Sequence, residues 1–199
     1  MYKSKSLYIA LALTVFFNAV SSLEQTAFAT SVYAQINSEK SQFADAINKD
    51  TLAEFKMQTS YLENIDWNSK ENKLIIKEDG LYFIMAVAQV GAHESGPSIS
   101  EAGGDIFFWF VLNDKEITDS AATLHVVPQS KSNTIVDEYI LPLQTGDTLS
   151  FMFSTTEISI GLVTFQGTEL RPRSPGLTVS VFKVGEVPKA ITSAAKSGA

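Results

Sequence analysis

From Thr51 onward, apolar and polar positions alternate with the period of two that a half-buried strand requires. Leu52, Phe55 and Met57 open the pattern, and Tyr61, Ile65 and Trp67 continue it. Short strands are predicted over Leu74–Ile76, Asp105–Asn113, Ala122–Val127, Ile158–Phe165 and Leu177–Val184. The pieces Thr134–Leu143 and Thr148–Ser154 are predicted to form a hairpin about the turn Gln144-Thr145-Gly146-Asp147, with Leu149, Phe151 and Phe153 on one face. Gly96-Pro97, Gly103-Gly104, Asn113-Asp114 and Arg171-Pro172 to Pro175-Gly176 punctuate the runs as turns and loops. No stretch past the N-terminal region combines helical period with helix length. About ten short strands at turn-spaced intervals read as an all-β sandwich or jelly roll.

One strand breaks the alternation. After the Glu78-Asp79-Gly80 turn, Leu81 to Val90 is almost continuously apolar. Neither Leu81/Phe83/Met85/Val87 nor Tyr82/Ile84/Ala86/Ala88 makes a face suited to water, although one face of an antiparallel sheet normally meets it. One set has to fill the core and something has to cover the other. The expected cover is another copy of the same chain.

The ends of the chain read differently. Lys3 and Lys5, the apolar run Leu7–Phe17 and the small residues that follow look like a secretory signal within residues 1–34, with candidate cleavage sites after Ser21, Ala29 or Ala34. That run falls short of the roughly 20 apolar residues needed to span a bilayer, so no membrane span is expected in the mature form. Residues 35–50 are polar and read as a linker, 51–185 as the domain, and 186–199 as a tail whose composition favours disorder. The expected location is secreted or at the cell surface. With no cysteine in 199 residues, disulfides, thiolate metal sites and a cysteine nucleophile are excluded, and a disulfide-free exported domain fits a bacterial route. A formal charge of −7 without a basic stripe argues against nucleic acid and anionic membranes as partners.

The order of motifs resembles a known superfamily. Leu74-Ile75-Ile76-Lys77-Glu78-Asp79-Gly80-Leu81-Tyr82-Phe83-Ile84 resembles the hallmark strand pair of the tumour necrosis factor and complement q-subcomponent globular-head domains. Leu141-Pro142-Leu143-Gln144-Thr145-Gly146-Asp147 is similar to their hydrophobic run followed by a Gly-Asp turn. The aromatic strand ending Trp109-Phe110-Val111-Leu112-Asn113-Asp114 and the proline-bracketed loop before Leu177 resemble bacterial and phage members more closely. The resemblance covers about residues 51–185. It implies a ten-stranded jelly-roll sandwich that forms a homotrimer, with the 80–90 strand in an inner sheet facing the threefold axis. Leu81, Phe83, Met85 and Val87 would then line the axis, joined by Ile140 and Phe182 from neighbouring strands, while Tyr82 and Ile84 fill the core. The last strand departs from tight trimers of this kind by turning Thr178 and Ser180 toward the axis.

Chemistry-bearing patterns are sparse. The chain has two histidines, His93 and His125, and no Gly-x-Ser-x-Gly elbow. Ser193-Ala194-Ala195-Lys196 matches a Ser-x-x-Lys pattern, but it lies in the tail without companion motifs. Glu78, Asp79, Asp114, Asp119 and Asp147 fall at turns, where Asp suits the backbone geometry. No phosphate-cradling loop, metal-ligand spacing or calcium-type spacing is present, and no cofactor is expected. Trp109 and its Phe neighbours make either a ligand platform or, as aromatic strands more often do, part of a core. Arg171 and Arg173, on a proline-stiffened loop, either grip an acidic glycan or carboxylate or solubilise the sandwich rim. The expected function is a secreted, non-enzymatic module presenting loops to a glycan or a cell-surface protein. The alternative is a cap or component of a bacterial appendage, coat or phage-like particle, and a hydrolase is the third reading.

Overall fold

The computed structural model describes residues 31–55, 61–92, 99–128, 133–170 and 172–187, all within one compact unit, Ser31–Ala199. The described residues contain strands and no helix. In chain order the strands are β1 (Tyr33–Ser38), β2 (Gln42–Phe43), β3 (Thr51–Leu52), β4 (Tyr61–Glu63), β5 (Ile65–Asn68), β6 (Lys73–Ile76) and β7 (Gly80–Ala92). They continue as β8 (Gly104–Leu112), β9 (Lys115–Glu116), β10 (Ala122–Val126), β11 (Asn133–Leu143), β12 (Thr148–Thr155), β13 (Ile160–Leu162) and β14 (Leu177–Gly185).

The strands form two antiparallel sheets. Sheet A runs β11-β7-β14-β1-β4, with β13 following β14 along the far end of β7 and β2 pairing β13. Sheet B runs β10-β8-β12-β6-β5, with β9 beside β8 and β3 beside β12. Between them lies one core. Sheet A contributes Ile36, Tyr82, Ile84, Ala86, Ala88, Val179 and Val181; sheet B contributes Leu74, Ile76, Ile106, Phe108, Phe110, Leu149, Phe151 and Phe153. Alternation along each strand explains the selection, because every second side chain points between the sheets. Phe151 sits at the centre of the aromatic packing, edge-on to Phe110 at 5.4 Å and to Phe55 at 5.7 Å, and stacked on Phe108 at 6.3 Å.

Two expectations about connectivity are overturned. The segments 134–143 and 148–154 do not form a hairpin: β11 pairs with β7 in sheet A, while β12 pairs with β8 in sheet B. The Gln144–Asp147 turn therefore carries the chain from one sheet to the other. It is fastened to β6 instead, with Gly146 N–H donating to Ile76 O at 2.8 Å and Ile76 N–H to Asp147 O at 2.9 Å. Gly146 adopts φ 93°, where a side chain would be strained. Asp79 braces the same turn by accepting from the Thr145 N–H at 2.7 Å and hydroxyl at 2.9 Å, and these bonds hold its carboxyl below its ordinary pKa.

The second correction concerns residues 35–50, expected to be a linker. Residues 33–38 are β1, paired along its length with β14 from Tyr33↔Phe182 to Ser38↔Leu177. Ile36 is fully buried, as are Ala34 and Ser38 very nearly. The domain thus begins near Ser31 rather than at Thr51. The expected strand over 158–165 shrinks to Ile160–Leu162, where Gly161 lets β2 approach: a Cβ there would lie 2.2 Å from Gln42 O. The signal segment up to residue 30, His93 and residues 188–199, with Ser193 and Lys196, lie outside the described residues.

Candidate functional site: the outer face of sheet A

Strand β7 is the hub of sheet A, since β11 flanks one edge and β14 and β13 the other. Its burial alternates from Gly80 to Val90: Tyr82, Ile84, Ala86, Ala88 and Val90 are buried between the sheets, while Leu81, Phe83, Met85, Val87 and Gln89 lie half-buried on the opposite face. The neighbouring strands are in register with this pattern. Phe83 is directly opposite Ile140 on β11 and Phe182 on β14, and Phe182 is opposite Tyr33 on β1. Directly opposed residues share a face with Cβ atoms about 5 Å apart. Ile140, Phe83, Phe182 and Tyr33 therefore form one unbroken apolar row across four strands.

The rows on either side grade in polarity. Val136, Val87, Thr178 and Asn37 make one cross-strand row, and Glu138, Met85, Ser180, Gln35 and Tyr61 make another. On the far side of the Phe83 row, Leu81 opposes Pro142, beside Val184 at the β14 bulge. Val136 is 53% exposed, Ile140 58%, Phe182 43% and Val184 55%. Large side chains at such exposure, contiguous on one sheet face, are the kind of patch that marks an interaction surface. Leu81, Phe83, Met85, Val87, Ile140 and Phe182 are thus brought together on a single face by the register.

The two arginines separate. Arg171 lies outside the described residues. Arg173, which the sequence left between ligand grip and solubilising charge, holds a carboxylate of its own chain: its guanidinium donates to Glu39 Oε2 at 2.8 Å and also to the Glu39 carbonyl. That clasp joins the proline loop to the end of β1. Ser174 adds to it, with its backbone bonded both ways to Phe165 at 3.0 Å and its hydroxyl donating to Gln89 Oε1 at 2.7 Å.

His125 lies on β10 beside Asp105, Nδ1 to Oδ1 2.7 Å, and its Nε2 meets the Ala102 carbonyl at 3.2 Å. A nucleophile activated by this imidazole would have to occupy the place that the carbonyl takes. Trp109 and Phe107, which alternation turns away from the core Phe108 and Phe110, lie on the outer face of sheet B. The sequence run of aromatics concealed that division. Among the described residues, no group of His, Asp and Glu is arranged to hold a metal ion. The chain matches no protein-family model and no curated protein.

Proposed function

We propose that this chain is an exported, non-catalytic binding or structural module that assembles as a homotrimer through the outer face of sheet A. The observation that carries the proposal is the Ile140–Phe83–Phe182–Tyr33 row, apolar across four strands and exposed at both Ile140 and Phe182. Fully burying such a side chain contributes about 1.5–3 kcal/mol, so covering a half-exposed one yields roughly half of that, repeated over the face. The resemblance to tumour necrosis factor and complement-head domains supplies the threefold stoichiometry. It is supported by strand order: β1-β14-β7-β11 in one sheet and β6-β12-β8-β10 in the other is an interleaving suited to a jelly roll.

The non-catalytic reading is favoured by the occupied nitrogens of His125. The position of β1 selects among the expected cleavage sites: processing after Ser21 or Ala29 leaves that strand whole, whereas processing after Ala34 removes Tyr33 and the buried Ala34 from it. The mature N-terminus is therefore expected at or before Ser31, which intact-mass measurement of the secreted protein reads directly. Light scattering on the purified protein tests the assembly. A mass of three chains is expected, and a concentration-independent mass of one chain contradicts the proposal.

A further inference from the structure

Charge on the outer face of sheet A is confined to two carboxylates. The outward positions of β11, β7, β14, β1 and β4 include Glu138 and, at the far edge, Glu63, which opposes Tyr33, and they include no Lys, Arg or His. Carboxylates elsewhere on the sandwich are held by cations of the same chain: Glu39 by Arg173, Asp66 by Lys77, and Glu186 by Lys183. Among the described residues, Glu138 and Glu63 have neither an ion pair nor a side-chain hydrogen bond.

The place of Glu138 in the face decides what an assembly does to it. Glu138 lies on β11 between Val136 and Ile140, two residues from each, so all three side chains leave the same face about 7 Å apart. Val136 and Ile140 are each more than half exposed, and a surface that covers both must cover the residue between them. Glu138 then loses water, and this face has no cation to replace it. Across the ladder it opposes Met85, with Ser180 beyond, and neither Phe83 nor Val87 on either side of Met85 carries a charge. Its chain neighbours Asp137 and Tyr139 turn to the inward side of β11, where the Asp137 carboxylate only adds repulsion.

Given the assembly proposed above, on which this rests, we infer that the charge of Glu138 sets how tightly the copies associate, and that protonating this carboxylate strengthens the assembly. Taking an unpaired charge out of water is unfavourable, and a chain of formal charge −7 offers its copies no compensating attraction. Association is thereby linked to proton uptake: the covered carboxylate holds a proton more readily than the solvated one, so assembly tightens as pH falls and loosens as pH rises. Glu63 is exposed at the β4 edge, where water continues to solvate it, and contributes less.

The test is sedimentation velocity over a concentration series at pH 7.5 and pH 5.5, on the purified protein, Glu138→Gln and Glu63→Gln. At pH 7.5, Glu138→Gln is expected to lower the concentration of half-assembly about tenfold, the equivalent of one proton's worth of linkage. The unmodified protein is expected to approach Glu138→Gln as the pH falls to 5.5, while Glu138→Gln itself shifts by about twofold or less. Glu63→Gln is expected to shift assembly by about twofold or less at pH 7.5. The role of Glu138 is overturned, with the assembly left standing, if Glu138→Gln associates no more tightly, if it keeps the full pH dependence, or if Glu63→Gln has an equal effect. A mass of one chain for every variant at every concentration and pH overturns the assembly, and the role of Glu138 with it.

Discussion

The outer faces of the two sheets start from the same alternation and end differently. On sheet B, the residues around β3 and the 115–121 segment border the outward side chains, and Trp109 and Val111 are each only 8% exposed. Carboxylates ring them. On sheet A, the corresponding outward side chains Val136, Ile140, Phe182 and Val184 keep 43–58% exposure, and the charged residues in the three rows running through Phe83, Met85 and Val87 are Glu138 and, at the β4 edge, Glu63. A face that its own chain borders in this way is already largely covered. One left apolar over four strands is suited to another protein surface.

Adjacent residues of β7 lie in the two most different environments of sheet A, the closed core and the outer face. Ile84→Lys places an ammonium in the closed core, at a cost of several kcal/mol, and is expected to abolish folding, as read by loss of a cooperative thermal transition. Met85→Lys places the same charge one residue away on the outer face. It is expected to leave a folded chain that light scattering weighs as a monomer. If Met85→Lys leaves a trimer intact, the face assignment fails.

Smaller effects sharpen the edges of sheet A. Asp137 lies on the inward side of β11, between Ile135 and Tyr139, with one carboxylate oxygen buried and unpartnered. Burial pushes its pKa above the ordinary 3.8, with neighbouring Glu138 charge adding to the rise and a backbone hydrogen bond from Glu138 opposing it. A raised folded-state pKa means that the folded protein holds this proton more tightly than the unfolded chain. The resulting stability is full below the ordinary value and is lost as pH rises through the folded one. Asp137→Leu is expected to add about 1 kcal/mol at neutral pH and to flatten the pH dependence of the melting point over that window. An inward charge of this kind also guards an edge strand, so the variant is expected to aggregate more readily.

Arg173→Ala is expected to have a smaller effect, about 1 kcal/mol or less, because the Glu39 pair is partly solvated. Its signature is local: faster amide exchange at Phe165 and Ser174, whose paired backbone closes the same loop. Unchanged exchange there would show that the clasp holds nothing in place.

Much of sheet membership and facing was legible because period-two alternation is a local signal. That Tyr82 and Ile84 share one face and Phe83 and Met85 the other follows from β7 alone; which of the two faces turns inward was an implication of the family resemblance. Three features were not. The strand β1 reads as polar because it buries Ala34, Ile36 and Ser38, two of them small, and its partner β14 lies far along the chain. The Gln144–Asp147 turn has the composition of a hairpin turn, and composition does not say whether the strands it joins share a sheet. The Arg173–Glu39 clasp spans 134 residues, a separation at which charge pattern carries no information. The setting of Trp109 on sheet B was hidden for the same reason, because the β9 region and the lead into β3 are brought beside it by pairing of distant strands.

The most direct test compares two methionines. Met85 lies half-buried on the outer face of sheet A and Met152 half-buried on that of sheet B, so in an isolated chain both are within reach of a small oxidant. Brief hydrogen peroxide treatment of the purified protein, followed by peptide mass spectrometry, reads each separately. If sheet A is covered by further copies of the chain, Met152 converts to the sulfoxide while Met85 is protected, and Met85 becomes reactive on dilution below the assembly threshold. Equal oxidation of the two at every concentration would contradict the account.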